Sequence, residues 1–358
     1  MSSRSARARW LDVWTRAVIV PAWRRAAAVW VGAALVGALI FGKNAMHPSD
    51  LTWLALHNVA IGSVLGVTWL LVFVPTARLL IRGEGASYLR SLPGPTIAPR
   101  MLALGALFLL QLPWLLLWTI GEGAVGLVVV CAVTLAIVVL ASWRPPVMKA
   151  KWPGWKRDGT ALRAIHLRAL RRRAGDALVR GAGLAILAGA GAGLFVRNND
   201  LVDADAAVVG SSVMAVVLVP AEVGVLLVIL TTHRQTAWLA ASLGMSYATR
   251  VGSIVYAIAV VQLAATLIAL GGLALVAEPD QVTMTWIAGT SIAVALSSAL
   301  GCTRILLSGE ESPTVAPRVV IGSTAIAALA LLCLGLFGLP GVAGLFAACM
   351  LALVTVKR

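Results

Sequence analysis

Charge is what this chain has least of: 12% of its 358 residues are charged, and Asp plus Glu number only 14 against 29 Lys plus Arg. With 60% hydrophobic residues and a mean hydropathy of +0.94, it has too little polar surface to cover a soluble globule, so it reads as an integral membrane protein. The four cysteines, Cys131, Cys302, Cys333 and Cys349, all lie in apolar runs without a CxxC pair or a neighbouring His, and read as small core residues rather than metal ligands. There is no HExxH, no GxSxG and no grouping of His with carboxylates. Gly37 to Asn44 contains GxxxxGK without its closing Ser or Thr, at the outer end of an apolar run where no strand–loop–helix phosphate cradle fits. Asp203-Ala-Asp205 has the DxD form of a metal-held sugar phosphate, but acids just before a span are ordinary capping and topology residues.

What the chain does have is long apolar runs. Near Trp10 to Val18, apolar residues recur at helical spacing between Arg9, Asp12 and Arg16, which predicts a short helix in the membrane interface. Ten spans follow, at about 26–41, 54–80, 101–120, 125–141, 178–196, 206–231, 251–277, 284–307, 319–337 and 342–356. Each lies near the ~20 residues that a helix needs to cross the hydrocarbon. Gly121-Glu122-Gly123 and Gly338 to Gly341 are too short to be more than tight turns, so each joins its flanking spans into a hairpin. The first run ends without a convincing cleavage site, so no removable leader is expected.

The net charge of +15 would suggest nucleic acid in a soluble protein, but its distribution reads as topology. With the N-terminus inside, only Lys43 and Arg197 of the 29 basic residues face outward, whereas Asp50, Glu122, Asp200, Asp203, Asp205, Glu278 and Asp280 do. Both termini and the basic stretch Trp143 to Arg180 are therefore placed in the cytoplasm, and a multi-pass protein of the inner (plasma) membrane is expected. Within that stretch Leu162, Ile165, Leu167, Leu170 and Ala174 alternate with arginines, as in a second interfacial helix.

The chain echoes itself. RGEGASYLRSLPGPTIAPRMLALGALFLLQ (Arg82 to Gln111) answers RQTAWLAASLGMSYATRVGSIVYAIAVVQ (Arg234 to Gln262) at a shift of 151, placing Ala86, Ser91, Leu92 and Gln111 on Ala237, Ser242, Leu243 and Gln262. GALIFGKN at Gly37 matches GAGLFVRN at Gly191 at a shift of 154. The expected fold is all-α, a polytopic bundle of about ten helices built as a tandem four-helix repeat plus a C-terminal pair. Its parts are 1–142, a basic connection 143–177, the second repeat 178–307 and the hairpin 308–358.

Polar residues inside spans are the candidate path. Glu222, beside Pro220, is the one acid well inside a span, where a carboxylate marks an ion or substrate path, a proton site or an interhelical contact. Gln111 and Gln262 occupy matching places in spans three and seven, and His57-Asn58 adds polarity to span two. The small residues from Ala188 to Gly193 let helices pack closely and are not a dinucleotide fingerprint.

The connection RLLIRGEGASYLRSLPGPTIAPRML resembles that of the type-two ABC exporter permeases, in which a glutamate precedes a Leu-x-Ser-Leu-Pro-like motif and a basic residue. The matching residues are Glu84, Leu89, Ser91, Leu92, Pro93 and Arg100; ten spans exceed the family's usual six, and the second copy carries Gly244 for the proline and no glutamate. The resemblance implies a permease subunit with no cofactor of its own, ATP and Mg residing on a separate soluble ATP-binding cassette subunit, and no enzyme activity in this chain. ATPase contact would fall on Glu84, Tyr88, Leu89, Arg90, Ser91, Leu92 and Pro93 and on Trp238, Ser242 and Leu243, and the path on Glu222, Gln111, Gln262 and Asn58. Membrane lipid and a second copy or second permease are further expected partners, and nucleic acid is not. Two alternatives stay open: a membrane enzyme or assembly factor for lipid-linked substrates, gripping anionic headgroups with the basic stretch, and an ion-coupled carrier using Glu222.

Overall fold

Apolar runs of this length have one stable solution in lipid, the helix, which satisfies every backbone group internally. The computed structural model describes residues 3–41, 46–91, 97–143, 158–308 and 315–355, and among these no strand occurs. Six helices are long and apolar enough to cross a membrane, or seven if the bent 203–242 pair counts as one span. That is fewer than the ten expected, because breaks and reversals divide or merge the predicted runs. The chain divides into two compact units, 1–148 and 149–358.

In the first unit, α1 (Ser3–Trp14) runs through a π-helical stretch, Thr15–Ile19, into α2 (Val20–Ile40). A short interfacial helix near Trp10 to Val18, followed by a span from about 26, was expected; the helical backbone runs on between them. The Val20 N–H bonds the Thr15 carbonyl, a wider turn that accommodates Pro21, which has no N–H to offer Ala17. Next come α3 (Pro48–His57) and α4 (Val59–Arg82), separated by extended backbone at Asn58, where one span was expected from 54 to 80. After Gly83, α5 (Glu84–Ser91) makes helical what the sequence suggested was a polar connection.

Helix α6 (Ile97–Leu110) breaks at Gln111, and α7 (Leu112–Ser142) reverses at Gly123, whose φ is 55°. The Gln111 Nε2 donates to Thr134 Oγ1 at 3.4 Å, 23 residues on. A straight helix would hold those residues about 34 Å apart. The predicted hairpin at Gly121 to Gly123 is therefore present, and its limbs touch where a Cβ at Gly126 would overlap the Trp118 carbonyl. Thr52 of α3 closes the turn by donating to Glu122 at 3.1 Å.

The second unit starts with α8 (Asp158–Arg173), which breaks at Ala174 into α9 (Gly175–Asn198). There follow α10 (Asp203–Ser242), bent by 56° between Leu218 and Ala221, α11 (Tyr247–Ala277), α12 (Gln281–Ser308) and α13 (Val315–Val354). Pro220 at the bend has no N–H for the helix ladder. Helix α13 reverses at Gly338 (φ 61°), bringing Val342 onto Ala330 and Leu334, as the Gly-Leu-Pro-Gly turn predicted. Small residues close the α9–α11 pair: a Cβ at Gly189 would overlap the Ala269 carbonyl, and one at Gly193 would lie 3.0 Å from that of Leu273. This fits the close-packing reading of Ala188 to Gly193.

Candidate functional site

Polar groups buried between membrane helices are expensive unless paired, so the pairing of each one indicates its role. In the first unit, Trp69 of α4 donates its indole N–H to Gln111 Oε1 at 2.9 Å, and the amide of Gln111 donates to Leu107 O (3.3 Å) and to Thr134. Trp114 stacks on Trp69 at 4.6 Å. Gln111 is fully buried with both ends of its amide engaged, while the indole N–H of Trp114 has no hydrogen-bond partner among the described residues. Asn58, a path candidate from sequence, has its side-chain oxygen bonded to the N–H groups of Ala60 (3.0 Å) and Ile61 (3.2 Å), capping α4.

The second unit buries a different pair of polar groups. Glu222 on α10 is 7% exposed, and the Gln262 side chain of α11 lies beside its carboxylate. Where the Gln111 amide meets the indole donor of Trp69, the Gln262 amide meets a carboxylate. Gln262, 5% exposed, keeps its Oε1 without a hydrogen-bond partner. The two groups open onto a cavity of about 40 Å³ whose other polar walls are Ser211, Thr266, Ser291 and Ser298, and none of the described residues that line it is Lys, Arg or His. Ser211 is bonded to Thr290 Oγ1 at 2.8 Å and to Ser291 Oγ at 3.0 Å. The Cys302 thiol, on α12, sits next to both Glu222 and Gln262. Sequence singled out Glu222 and Gln262 separately; the serines and the threonine carry no signal of their own, since their meeting depends on how three helices face one another.

The two segments that echo one another in sequence differ in structure. On α5, Ala86 and Leu89 are buried while Glu84 and Tyr88 (63% exposed) face outward. Gly85 comes so close to the π-helical stretch that a Cβ would lie 2.5 Å from the Ala17 carbonyl, the one that Pro21 leaves without its helical donor. The side chains of Arg90, Ser91 and Arg100, and all of Leu92 and Pro93, lie outside the described residues.

In the second unit the matching segment is the end of α10 itself, with Trp238 (70%), Leu243 (60%) and Ser242 exposed. Helix α10 stops at Gly244, whose φ of 63° allows Met245 N–H to bond Ala240 O and Gly244 N–H to bond Ala241 O. Proline, whose ring fixes φ at about −65°, could not take this turn. Ser246 then caps α11 through Thr249 N–H at 3.2 Å. An open hollow of about 350 Å³ lies here, walled by Arg163 of α8 and the 243–249 turn.

Helix α8 buries Leu162, His166, Leu170 and, just beyond its end, Ala174, one residue per turn. His166, which the sequence reading assigned no role, is 1% exposed, bonds Leu162 O through Nδ1 at 2.8 Å, leaves Nε2 unpartnered and stacks on His233 at 6.3 Å. Burial, then the nearby His233, hold its imidazole below the ordinary range against the pull of the Leu162 carbonyl.

No family model, no curated protein and no solved structure matches this chain. The chain is a multi-pass, all-helical membrane protein, on the strength of its several long apolar helices.

Proposed function

We propose that this chain is the membrane-spanning permease subunit of an exporter driven by a separate soluble ATP-binding cassette subunit. The observation that carries the reading is α5: an amphipathic helix on the end of α4 that we read as cytoplasmic, with Ala86 and Leu89 buried, Gly85 pressed on the Ala17 carbonyl, and Glu84 and Tyr88 presented outward. A partner pushing on that face would move α4 directly, because a single residue, Gly83, separates the two helices. The second unit supports a matching contact at Trp238, Ser242 and Leu243, beside the hollow under Arg163.

We read each limb of the two hairpins, with α2, α4, α9, α10, α11 and α12, as a crossing, which gives ten, with both termini in the cytoplasm. The tandem repeat is supported by the two buried glutamines, each at the junction of the helices that correspond to spans two, three and four of its half.

The test is to purify the full chain from its native membrane in mild detergent and to assay co-purifying ATPase activity. An ATP-binding subunit is expected in the complex, released in part by Tyr88→Ala and further by Tyr88→Ala with Trp238→Ala. If no ATP-binding protein co-purifies and the adjacent reading frame encodes none, the reading fails.

A further inference from the structure

We infer that the cavity between α10, α11 and α12 is a binding site for a small monovalent metal cation of the sodium class. The inference does not rest on the ATPase reading, since cation occupancy is the same however transport is energised.

Six of the eleven residues that line the cavity carry a side-chain oxygen, set among Met214, Ala215, Leu218, Val294 and Ala295. Glu222 supplies a carboxylate, Gln262 an amide oxygen with no donor, and Ser211, Ser291, Ser298 and Thr266 hydroxyls that accept as well as donate. A buried acceptor without a donor costs about 1–3 kcal/mol, and a buried carboxylate without a counter-charge costs more. The first unit avoids both costs by placing the Trp69 indole N–H on the matching glutamine oxygen. In the second unit Glu222 and Gln262 put two acceptors on one space, and none of the described residues that line it is Lys, Arg or His. A cation bound there satisfies both.

Charge and size select its class. One carboxylate among neutral oxygens neutralises a single positive charge, whereas a divalent ion would leave net charge among apolar helices and calls for several carboxylates. A cavity of about 40 Å³ holds an ion with a water or two. Hydroxyl and carbonyl oxygens are hard ligands suited to such ions, and Cys302, the one soft atom nearby, is not required.

The experiment is thermal unfolding of the full chain in detergent, titrated with NaCl, LiCl, KCl or choline chloride at constant ionic strength and pH. Sodium should raise the midpoint in wild type where choline does not, by mass action on the folded state. Glu222→Gln should raise the half-saturating sodium concentration by about tenfold or more. Thr266→Val, nearly isosteric, should weaken sodium binding by a smaller factor and guards against a failure of Glu222→Gln to fold. Gln111→Leu in the first unit should change basal stability and leave the sodium response intact. Equal responses to sodium and choline, a sodium response unchanged in Glu222→Gln and Thr266→Val, or stabilisation that follows pH but not sodium would each overturn the proposal, the last by making Glu222 a proton site only.

Discussion

The indole of Trp69 and the amide of Gln111 form a 2.9 Å hydrogen bond inside the first unit, with the Trp114 ring stacked over the indole. The bond supplies the one donor that the Gln111 oxygen receives, so Trp69→Phe should destabilise the unit by about 1–3 kcal/mol beyond the loss of ring area. Trp69→Phe combined with Gln111→Leu should recover part of that loss, because neither partner is then left unpaired. Thermal unfolding of the single and double variants measures the coupling; strictly additive effects would deny the bond any weight.

Helices α9 and α11 depend on the absence of a side chain at Gly189, where a Cβ would meet the Ala269 carbonyl. Backbone cannot step aside as a flexible side chain can, so Gly189→Ala should cost about 1–3 kcal/mol through separation of the pair. Gly181, which has open space at its Cβ, should accept alanine without loss. Comparing the unfolding temperatures of Gly189→Ala and Gly181→Ala checks this.

His166 makes the docking of α8 sensitive to acid. Its folded-state imidazole is held below the ordinary value of 6.5, so as pH falls through that value the unfolded chain takes up a proton that the buried ring refuses. Stability is therefore full above about pH 6.5 and is lost on acidification until the buried ring also protonates. Unfolding of wild type from pH 8 to pH 5 should show this slope, and His166→Leu should flatten it.

Gly85 sets how closely α5 lies on the helix before α2. Gly85→Ala puts a methyl 2.5 Å from the Ala17 carbonyl, so α5 should lift away and its amides should exchange with deuterium about tenfold faster or more. Exchange across 84–89 should rise while that of α9 stays unchanged. If Gly85→Ala also lowers co-purifying ATPase activity without lowering the yield of folded protein, the change in α5 has reached the partner.

Much of this architecture could be read from the residues. Both hairpins were legible because Gly121-Glu122-Gly123 and Gly338 to Gly341 leave too few residues for anything but a reversal, and Gly123 and Gly338 take the positive φ that only glycine adopts without strain. Helix ends inside apolar runs were harder. Asn58 breaks a hydrophobic stretch that reads as one span, and only the geometry reveals a cap. Nor does the run from Trp10 through Pro21 signal a continued helix, because the π-helical turn that absorbs the proline has no composition of its own.

The sequence alone determined the class of this protein. Scarce charge and long apolar runs leave lipid as the solvent, and lipid enforces helices. It also marked Glu222, Gln111 and Gln262, since an intramembrane polar residue stands out against its neighbours. Tertiary structure decided what those residues meet. Trp69 reaches Gln111, while Glu222 faces Gln262 and hydroxyls of α10, α11 and α12 share the same hollow. Which polar atoms share a cavity depends on the rotation and bend of helices packed side by side, and positions about 40 residues apart carry no local pattern that fixes either.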